Sequence, residues 1–383
     1  MCIRDSYTYQ AAFVFGLCTG TINGVGAMYV NKQVTTMAAL GYTLFNGNYS
    51  QTAWGYLTSK HPAQALNYRG IAYIANPAYQ LGNSPQIPNH NVVVAGRFSN
   101  GDAGADADAS LVINYLLTDP KSGAGFPSSK LNALTIYQNY VMANGLFVSP
   151  AYVQQAPASS ILKDLQDATN SAFVFSGGML SLVPYGDQSI TANGYTYTAP
   201  SSPQYSVTDD DFVAQPGTDP VQPTRCPTSD IYNSVQLECL DPSNQYNPAV
   251  IGAKDQAAID TYGLKEQTIT AHYFANLSAA RLSAQLWLQR GLKRNTYAFT
   301  LDHRYVLLDP MDIIAITDTT LGLNAVLVRI ISIDEDDNGN FAMVAEEYLG
   351  GNGSSPLHTF QTGLGYTTDY NSDPGNVNPP VLF

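Results

Sequence analysis

From Tyr7 to about Gly96 the apolar residues of this chain come in short β-rich runs, such as Ala12–Leu17, Ala27–Val30, Ile71–Ala75 and Asn91–Ala95, each cut off by Gly, Asn or Pro. No long helical period interrupts them, so the region reads as sheet, and each short strand must find its partners elsewhere in the chain. The most apolar stretch, Ala11 to Cys18, carries a Gly and is far too short to span a bilayer; it reads as a buried strand. A secretory signal would need a longer apolar segment behind a basic start.

Helical spacing begins only after Gly101–Ala109, where a Gly-, Ala- and Asp-rich stretch marks a candidate boundary. Leu111, Val112, Tyr115 and Leu116 recur one turn apart, with Asp106 and Asp108 near the positive N-terminal end of that helix. Pro127-Ser128 opens a second helix with a stripe of Leu131, Leu134, Tyr137 and Val141, and Gly145 is placed to end it. A third runs from Ser160 with Ile161, Leu162, Leu165 and Ala168 inward. The period then returns to two in Ala172–Phe175 and Met179–Val183, joined by Gly177-Gly178 as a tight hairpin.

A Pro- and Asp-rich connector, Ala214 to Pro223, leads into the last region. There Ser234–Leu240 reads as a strand, Lys254–Tyr262 as a short helix ended by Gly263, and Leu277–Gly291 as a longer helix with Ala280, Ala284, Trp287 and Leu288 on one side. Tyr297–Leu301, Asp312–Asp318, Ala325–Ile333 and Phe341–Tyr348 complete a β-rich barrel or sandwich, and the Gly-, Ser- and Asn-rich chain from Gly350 reads as a linker. No internal repeat stands out at periods of roughly 20 to 50 residues, which argues against a solenoid, propeller or long β-helix.

Composition narrows the function. The chain has 383 residues, enough for two or three domains with real cores, and carries 17 Lys+Arg against 30 Asp+Glu, a net charge of −13. So few cations argue against gripping a phosphate backbone, whose affinity scales with cationic contacts. Tyrosine is abundant, 26 residues against 14 Phe and 2 Trp, which suits subunit contacts and strand packing alike. The four cysteines, Cys2, Cys18, Cys226 and Cys239, form no CxxC pair and read as buried thiols; a Cys226–Cys239 bridge is open but not required by the spacing.

Motifs for chemistry are weak. Asp334-x-Asp336-x-Asn338-Gly339 opens like a calcium loop, but its twelfth position is Ala345 where a bidentate carboxylate is needed, so a β-turn is the better reading. Asp102, Asp106 and Asp108 read as a solvated helix entry. His61, His90, His272, His303 and His358 show no ligand spacing, and Asp302-His303-Arg304 is explained by a solvated strand end. No nucleophile elbow or phosphate loop occurs, and carboxylate pairs such as Glu346–Glu347 and Asp209–Asp211 cannot be tested by spacing alone. The expectation is a chain with no catalytic, cofactor-binding or metal-binding residue, and no cofactor.

An ordered series of segments resembles the tip attachment (host-specificity) protein J family of long non-contractile phage tails, its gene transfer agent counterpart, and the related baseplate hub. The series runs through Leu17-Cys-Thr-Gly-Thr-Ile-Asn-Gly24, Ala65-Leu-Asn-Tyr-Arg-Gly-Ile-Ala-Tyr73, Leu117-Thr-Asp-Pro120, Phe175-Ser-Gly-Gly-Met-Leu180 and Pro184-Tyr-Gly-Asp187. It continues with Tyr205-Ser-Val-Thr-Asp-Asp-Asp-Phe212, Tyr232-Asn-Ser-Val235, Leu308-Asp-Pro-Met-Asp-Ile313 and Val328-Arg-Ile-Ile-Ser-Ile-Asp-Glu335. The resemblance implies an α+β, β-rich fold with two tail-tube-like β-barrel or sandwich domains: 7–100 first, 101–218 as an inserted α+β module, 219–349 as a second barrel with a packed helix, and 350–383 as a linker. Residues 1–6 look like a translated adapter remnant, and the natural protein is expected to extend both ways.

It also implies a non-enzymatic homotrimer in the virion tail tip, ending the tail tube and meeting other tail-tip proteins. DNA would pass its channel without specific binding, there would be no membrane anchor, and receptor contact would lie in a downstream part. A tail-associated cell-wall or polysaccharide hydrolase and a carbohydrate-binding host adhesin are the alternatives.

Overall fold

A computed structural model describes residues 8–98, 106–214, 217–228 and 230–348. The adapter-like start, Cys2, Asp102, His358 and the linker from Gly350 lie outside the described residues. The chain divides into two compact units, the first holding the residues before Asp108 together with Asp241–Asn247, the second Asp108–Leu240 and the described chain from Pro248 onward.

In the first unit, β1 (Tyr9–Thr19), β2 (Gly24–Val30), β3 (Gln33–Thr36), β4 (Thr43–Asn46), the short helix α1 (Gly55–Lys60), β5 (Ile71–Gly82) and β6 (His90–Ala95) follow in order. They build two three-stranded sheets, β1-β5-β4 and β3-β2-β6, antiparallel throughout. The β2–β3 connection turns through Asn31 and Lys32 at φ of 49° and 71°, the left-handed pair whose twist matches a two-residue hairpin. Met28, Tyr42, Ile74 and Tyr79 form the core, with Phe13 and Phe15 packed against it. Tyr246, from the 241–247 segment, packs on Ala27, Tyr29 and Val93.

β1 departs from expectation. Among the described residues it pairs only with β5, and Phe13, Phe15 and Leu17 face inward while Val14 and Cys18 are exposed. A strand is buried on both faces only when sheet neighbours and a covering layer enclose it. This one is an edge.

The second unit opens with α2 (Ala109–Thr118), α3 (Thr135–Asn144) and α4 (Ala158–Ala168), then the hairpins β7 (Ser171–Ser176)–β8 (Met179–Pro184) and β9 (Ile190–Ala192)–β10 (Tyr195–Tyr197). The inward residues of α2 are Ala109, Val112, Ile113 and Leu117, while Leu111 is 43% exposed. The apolar spacing fits either of two adjacent helix faces. Asp108 decides between them: its carboxylate accepts from Ser110 N–H at 2.8 Å, capping the helix, and from Gln138 Nε2 of α3 at 2.6 Å. Asp106 and Asp108 are both only 3% exposed, so the expected solvated helix entry is instead a buried cap. The second helix starts at Thr135, because Ser128–Lys130 forms a 3₁₀ turn and the Asn132 N–H goes to the Leu180 carbonyl of β8. It ends as its sequence implies, with Gly145 at φ 71°.

There follow β11 (Ser206–Val207), β12 (Val221–Arg225), β13 (Ser234–Asp241), β14 (Asn247–Lys254), α5 (Gln256–Tyr262), β15 (Glu266–Thr270), α6 (Leu277–Gly291), β16 (Asn295–Leu301), β17 (Ile313–Asp318), β18 (Leu323–Glu335) and β19 (Phe341–Glu347). Asp255 caps α5 by accepting from Ala258 N–H, and Asn276 caps α6 by accepting from Ser278 and Ala279. Part of the expected connector is a strand: β12 contains Pro223, which a sheet accepts at its edge because Pro has no N–H to donate. A three-stranded sheet, β14-β13-β15, stands beside a six-stranded one ordered β11-β17-β18-β19-β16-β12. Cys239 Sγ donates to the Ala249 carbonyl and Cys226 Sγ to that of Pro227; no disulfide joins the two.

Period-two alternation builds the larger core. Tyr297, Phe299 and Leu301, then Ile314 and Ile316, Val328 and Ile330, and Met343 and Ala345 all point to one face. Val207 and Val221, from strands at opposite ends of the order, join the same cluster, so the sheet curls around its own side chains. Its edges do not close: among the described residues no ladder joins β11 to β12. Of the expected β-barrel or sandwich domains, closed barrels are therefore corrected to open sheets among the described residues, two of three strands in the first unit and a curled six-stranded sheet in the second. A two-residue β11 and a Pro-bearing β12 present too few paired backbone groups to shut the ring.

Gly47 gives a test of the first unit. It sits at φ +80°, and a Cβ there would lie 2.3 Å from the Gly20 carbonyl oxygen and 2.9 Å from Ala72 N. Gly47→Ala is expected to destabilise this unit by about 2 kcal/mol or more, combining left-handed strain with a backbone clash, read as a lowered urea midpoint at unchanged slope.

Candidate functional site

The residues singled out by sequence scatter. Asp336 accepts the main-chain N–H groups of Asn338 and Asn340 and the Asn340 amide, which holds its carboxyl below the usual carboxylate range, Asn340 contributing most. Its oxygens are thus taken by the β18–β19 turn, where Gly339 has φ 75°. Asp302 caps the turn carrying His303 and pairs with Arg304 at 2.8 Å, and Asp211 lies 3.5 Å from the same guanidinium. Asp209 accepts from Thr319. His272 meets Glu238 at 2.6 Å on an exposed surface. His90 is enclosed by Phe13, Phe15, Tyr42 and Tyr79, with Nε2 2.9 Å from the Tyr42 hydroxyl. Among the described residues no group of three or more His, Cys, Asp or Glu is placed to hold a metal ion.

What the fold does bring together is a cationic cleft in the second unit, around Tyr185 at the end of β8. Arg290, near the C-terminus of α6, lies over the Tyr185 ring at 3.8 Å from its centroid. Arg329 of β18 is 1% exposed; its Nη1 donates to the Tyr185 carbonyl at 3.0 Å, and its guanidinium stands 5.2 Å from the Tyr185 ring and 4.9 Å from that of Tyr348. Lys293, one turn beyond Arg290, ion-pairs with Glu346 of β19 at 2.8 Å. Glu347 turns the other way, accepting from Arg294 N–H and from the Asn295 amide.

Asn170 lines the same cleft, left-handed at φ 51° just after α4, and donates Nδ2 to the Tyr140 hydroxyl at 3.0 Å. Its Oδ1 is buried without a hydrogen-bond partner. Gly186 allows the close fit, because a Cβ there would fall 2.5 Å from the Tyr140 ring.

The electrostatics follow from burial. Lys293 is pushed below the usual lysine range chiefly by desolvation, with Arg329 and Arg290 adding repulsion and Glu346 opposing it. Desolvation raises Tyr140 to about 12, while Asn170, Arg329 and Arg290 pull the other way. Buried tyrosines that stay protonated, cations and amides make a cleft suited to binding an anion.

Tyr185 and Arg329 fall within segments of the resemblance, but nothing in their local sequence marks them as site residues. The signal available was slight: two cations three apart, Arg290 and Lys293, in a chain with only 17. Convergence of β8, α6, β18 and β19 on one ring is a tertiary fact.

Comparison with known proteins bears on the whole chain. Residues 157–333 match a protein-family model described as "Putative phage tail protein". No curated protein matches in sequence. Among solved structures, the fold is similar to a chain in the virion of a native gene transfer agent particle, with TM-score 0.64 and 16% identity, covering 91% of this chain and 80% of that one. More distant similarity is found to the prophage MuSo2 43 kDa tail protein from Shewanella oneidensis (TM-score 0.34, 12% identity, 88% of this chain, 98% of that one). A prophage tail protein from Listeria monocytogenes EGD-e is similarly distant (0.33, 11%, 85% and 88%). The fold is a β-rich α+β one, similar to that of the gene transfer agent virion chain.

Two measurements check the site. Lys293→Met leaves the largely buried Glu346 carboxylate without its partner and is expected to cost about 2 kcal/mol in chemical denaturation, much of it restored in Lys293→Met/Glu346→Met. The tyrosines set an alkaline limit. Because the folded value for Tyr140, about 12, lies above the ordinary ~10, the stability it contributes is complete below about pH 10 and is lost as pH rises towards 12. Tyrosinate absorbance should therefore rise together with unfolding in that window, and Tyr140→Phe should make the fall in stability with pH shallower.

Proposed function

We propose that this chain is a structural, virion-associated component of a phage-type tail, and within it a hub or tip-attachment element that works as a homotrimer. The observation that carries the reading is the fold likeness to a gene transfer agent virion chain across 91% of this one, reinforced by the tail-family match over residues 157–333. In this reading the regions 7–100 and 219–349 line a ring that ends the tail tube, residues 101–218 decorate it, and 350–383 lead towards receptor-contacting parts. Other tail-tip proteins are its partners.

Physical chemistry supports the same role. A net charge of −13 with 17 cations gives a channel wall few groups with which to retain DNA. Two of those cations, Lys293 and Arg329, are engaged with Glu346 and with the Tyr185 carbonyl. The first unit exposes large apolar side chains, among them Tyr49 at 65%, Leu66 at 59% and Ile87 at 53%, of the kind that subunit contacts cover. Among the described residues no helix is long and apolar enough to cross a membrane.

Native mass spectrometry and electron microscopy of the purified chain test the reading. Rings of three copies are the expected result, and a monomer at all accessible concentrations would overturn the trimer. Turnover of peptidoglycan or capsular polysaccharide that disappears on changing one carboxylate would instead favour a tail-associated hydrolase.

A further inference from the structure

The cleft at Tyr185 holds more positive charge than the protein around it balances. Arg290, Lys293 and Arg329 converge there, against the carboxylates of Glu346 and Asp187. Among the described residues, no hydrogen bond or ion pair engages the Arg290 guanidinium; its contact is the Tyr185 face at 3.8 Å. A guanidinium stacked on an aromatic ring keeps its in-plane N–H donors pointing outward, the fork that a carboxylate accepts. Lys293 adds ammonium donors beyond the one given to Glu346.

A second observation lies in the same lining. Asn170 is 6% exposed, and one atom of its amide, Oδ1, has no partner. A buried amide oxygen without a donor costs on the order of 1–3 kcal/mol unless something supplies one. The cleft therefore presents donors for an anionic oxygen, and its lining includes a buried amide oxygen that an incoming N–H or O–H would satisfy.

We infer that this cleft is a binding site for a carboxylate carried on a polypeptide: an Asp or Glu side chain whose neighbouring main-chain amide meets Asn170 Oδ1. The charge count favours it. Three cations against two carboxylates leave room for one negative charge, which a single acidic side chain supplies. A nucleic-acid backbone would bring a run of phosphates to a protein of net charge −13, and inorganic phosphate would leave the amide requirement unmet. The inference stands independently of the tail assignment.

Calorimetric titration of the full chain at low salt with the blocked peptide acetyl-Gly-Asp-Gly-amide tests it. Saturable binding is expected, none with the acetyl-Gly-Asn-Gly-amide analogue, and weaker binding of acetate, which lacks the amide. Arg290→Gln should weaken the peptide by about tenfold or more, the usual effect of losing a hydrogen bond to a charged group. Arg281→Gln, exposed on the same helix, should bind as the unaltered chain does. Asn170→Asp, of similar shape and tolerant of the left-handed backbone, should abolish binding by repulsion, which keeps the test open if Arg290→Gln fails to fold. No binding by the folded parent chain, equal binding by Arg290→Gln, or phosphate or acetate binding at least as tightly as the Asp peptide would overturn the inference.

Discussion

A guanidinium does not shed its proton at any pH a protein meets, so one buried in the middle of a strand must be satisfied where it lies. Arg329 is that group. Its position on β18 faces the end of β8, where Nη1 donates to the Tyr185 carbonyl and the guanidinium lies against the faces of Tyr185 and Tyr348, which satisfy it in part; among the described residues its buried Nε has no hydrogen-bond partner. The helical part of the second unit and the curled sheet are thereby held in one register. Ser283 of α6, which donates to the Ala168 carbonyl at the end of α4, ties two of the helices to each other. Remove the arginine's partners and an ion is stranded in apolar surroundings, a cost far above that of losing one ordinary contact.

The sheet itself depends on a different economy. Strands with one apolar face can bury it on a second sheet, on helices or on themselves. The six-stranded sheet takes the last course, since residues from its two edge strands reach one cluster. The curl leaves its edges unpaired, and short or Pro-bearing edge strands are the usual protection of such edges against unwanted pairing. The first unit, with its long uncharged β1 at an edge and several exposed aromatic and aliphatic side chains, is less protected.

Sparse cations give those present unusual weight. Placed singly on the surface they would do little; gathered round Tyr185 they create a local field opposite in sign to that of the whole chain. Desolvation sharpens that field, and Lys293 registers it by being easier to deprotonate than a surface lysine.

Much of the fold was legible residue by residue. Gly145, Gly177-Gly178 and Asn338-Gly339 mark turns because their glycines take a left-handed backbone at little cost, and α6 spans Leu277–Gly291 because its apolar spacing and its Asn276 cap agree. Asn193-Gly194, at φ of 52° and 79°, is an equally plain hairpin signal between β9 and β10. Other features were beyond local reading. Which face of α2 turns inward was set by Asp108 reaching Gln138 on another helix, whether β1 is central or peripheral by the strands that failed to flank it, and whether the large sheet closes by two edges that meet no partner. The cleft was least legible of all, since Tyr185, Arg290, Lys293 and Arg329 carry no shared spacing. Local sequence determines where a backbone can turn and which period a segment follows, because those depend on near neighbours. Burial of a charge, closure of a sheet and convergence of a site depend on residues far apart in the chain, and only the tertiary structure decided them.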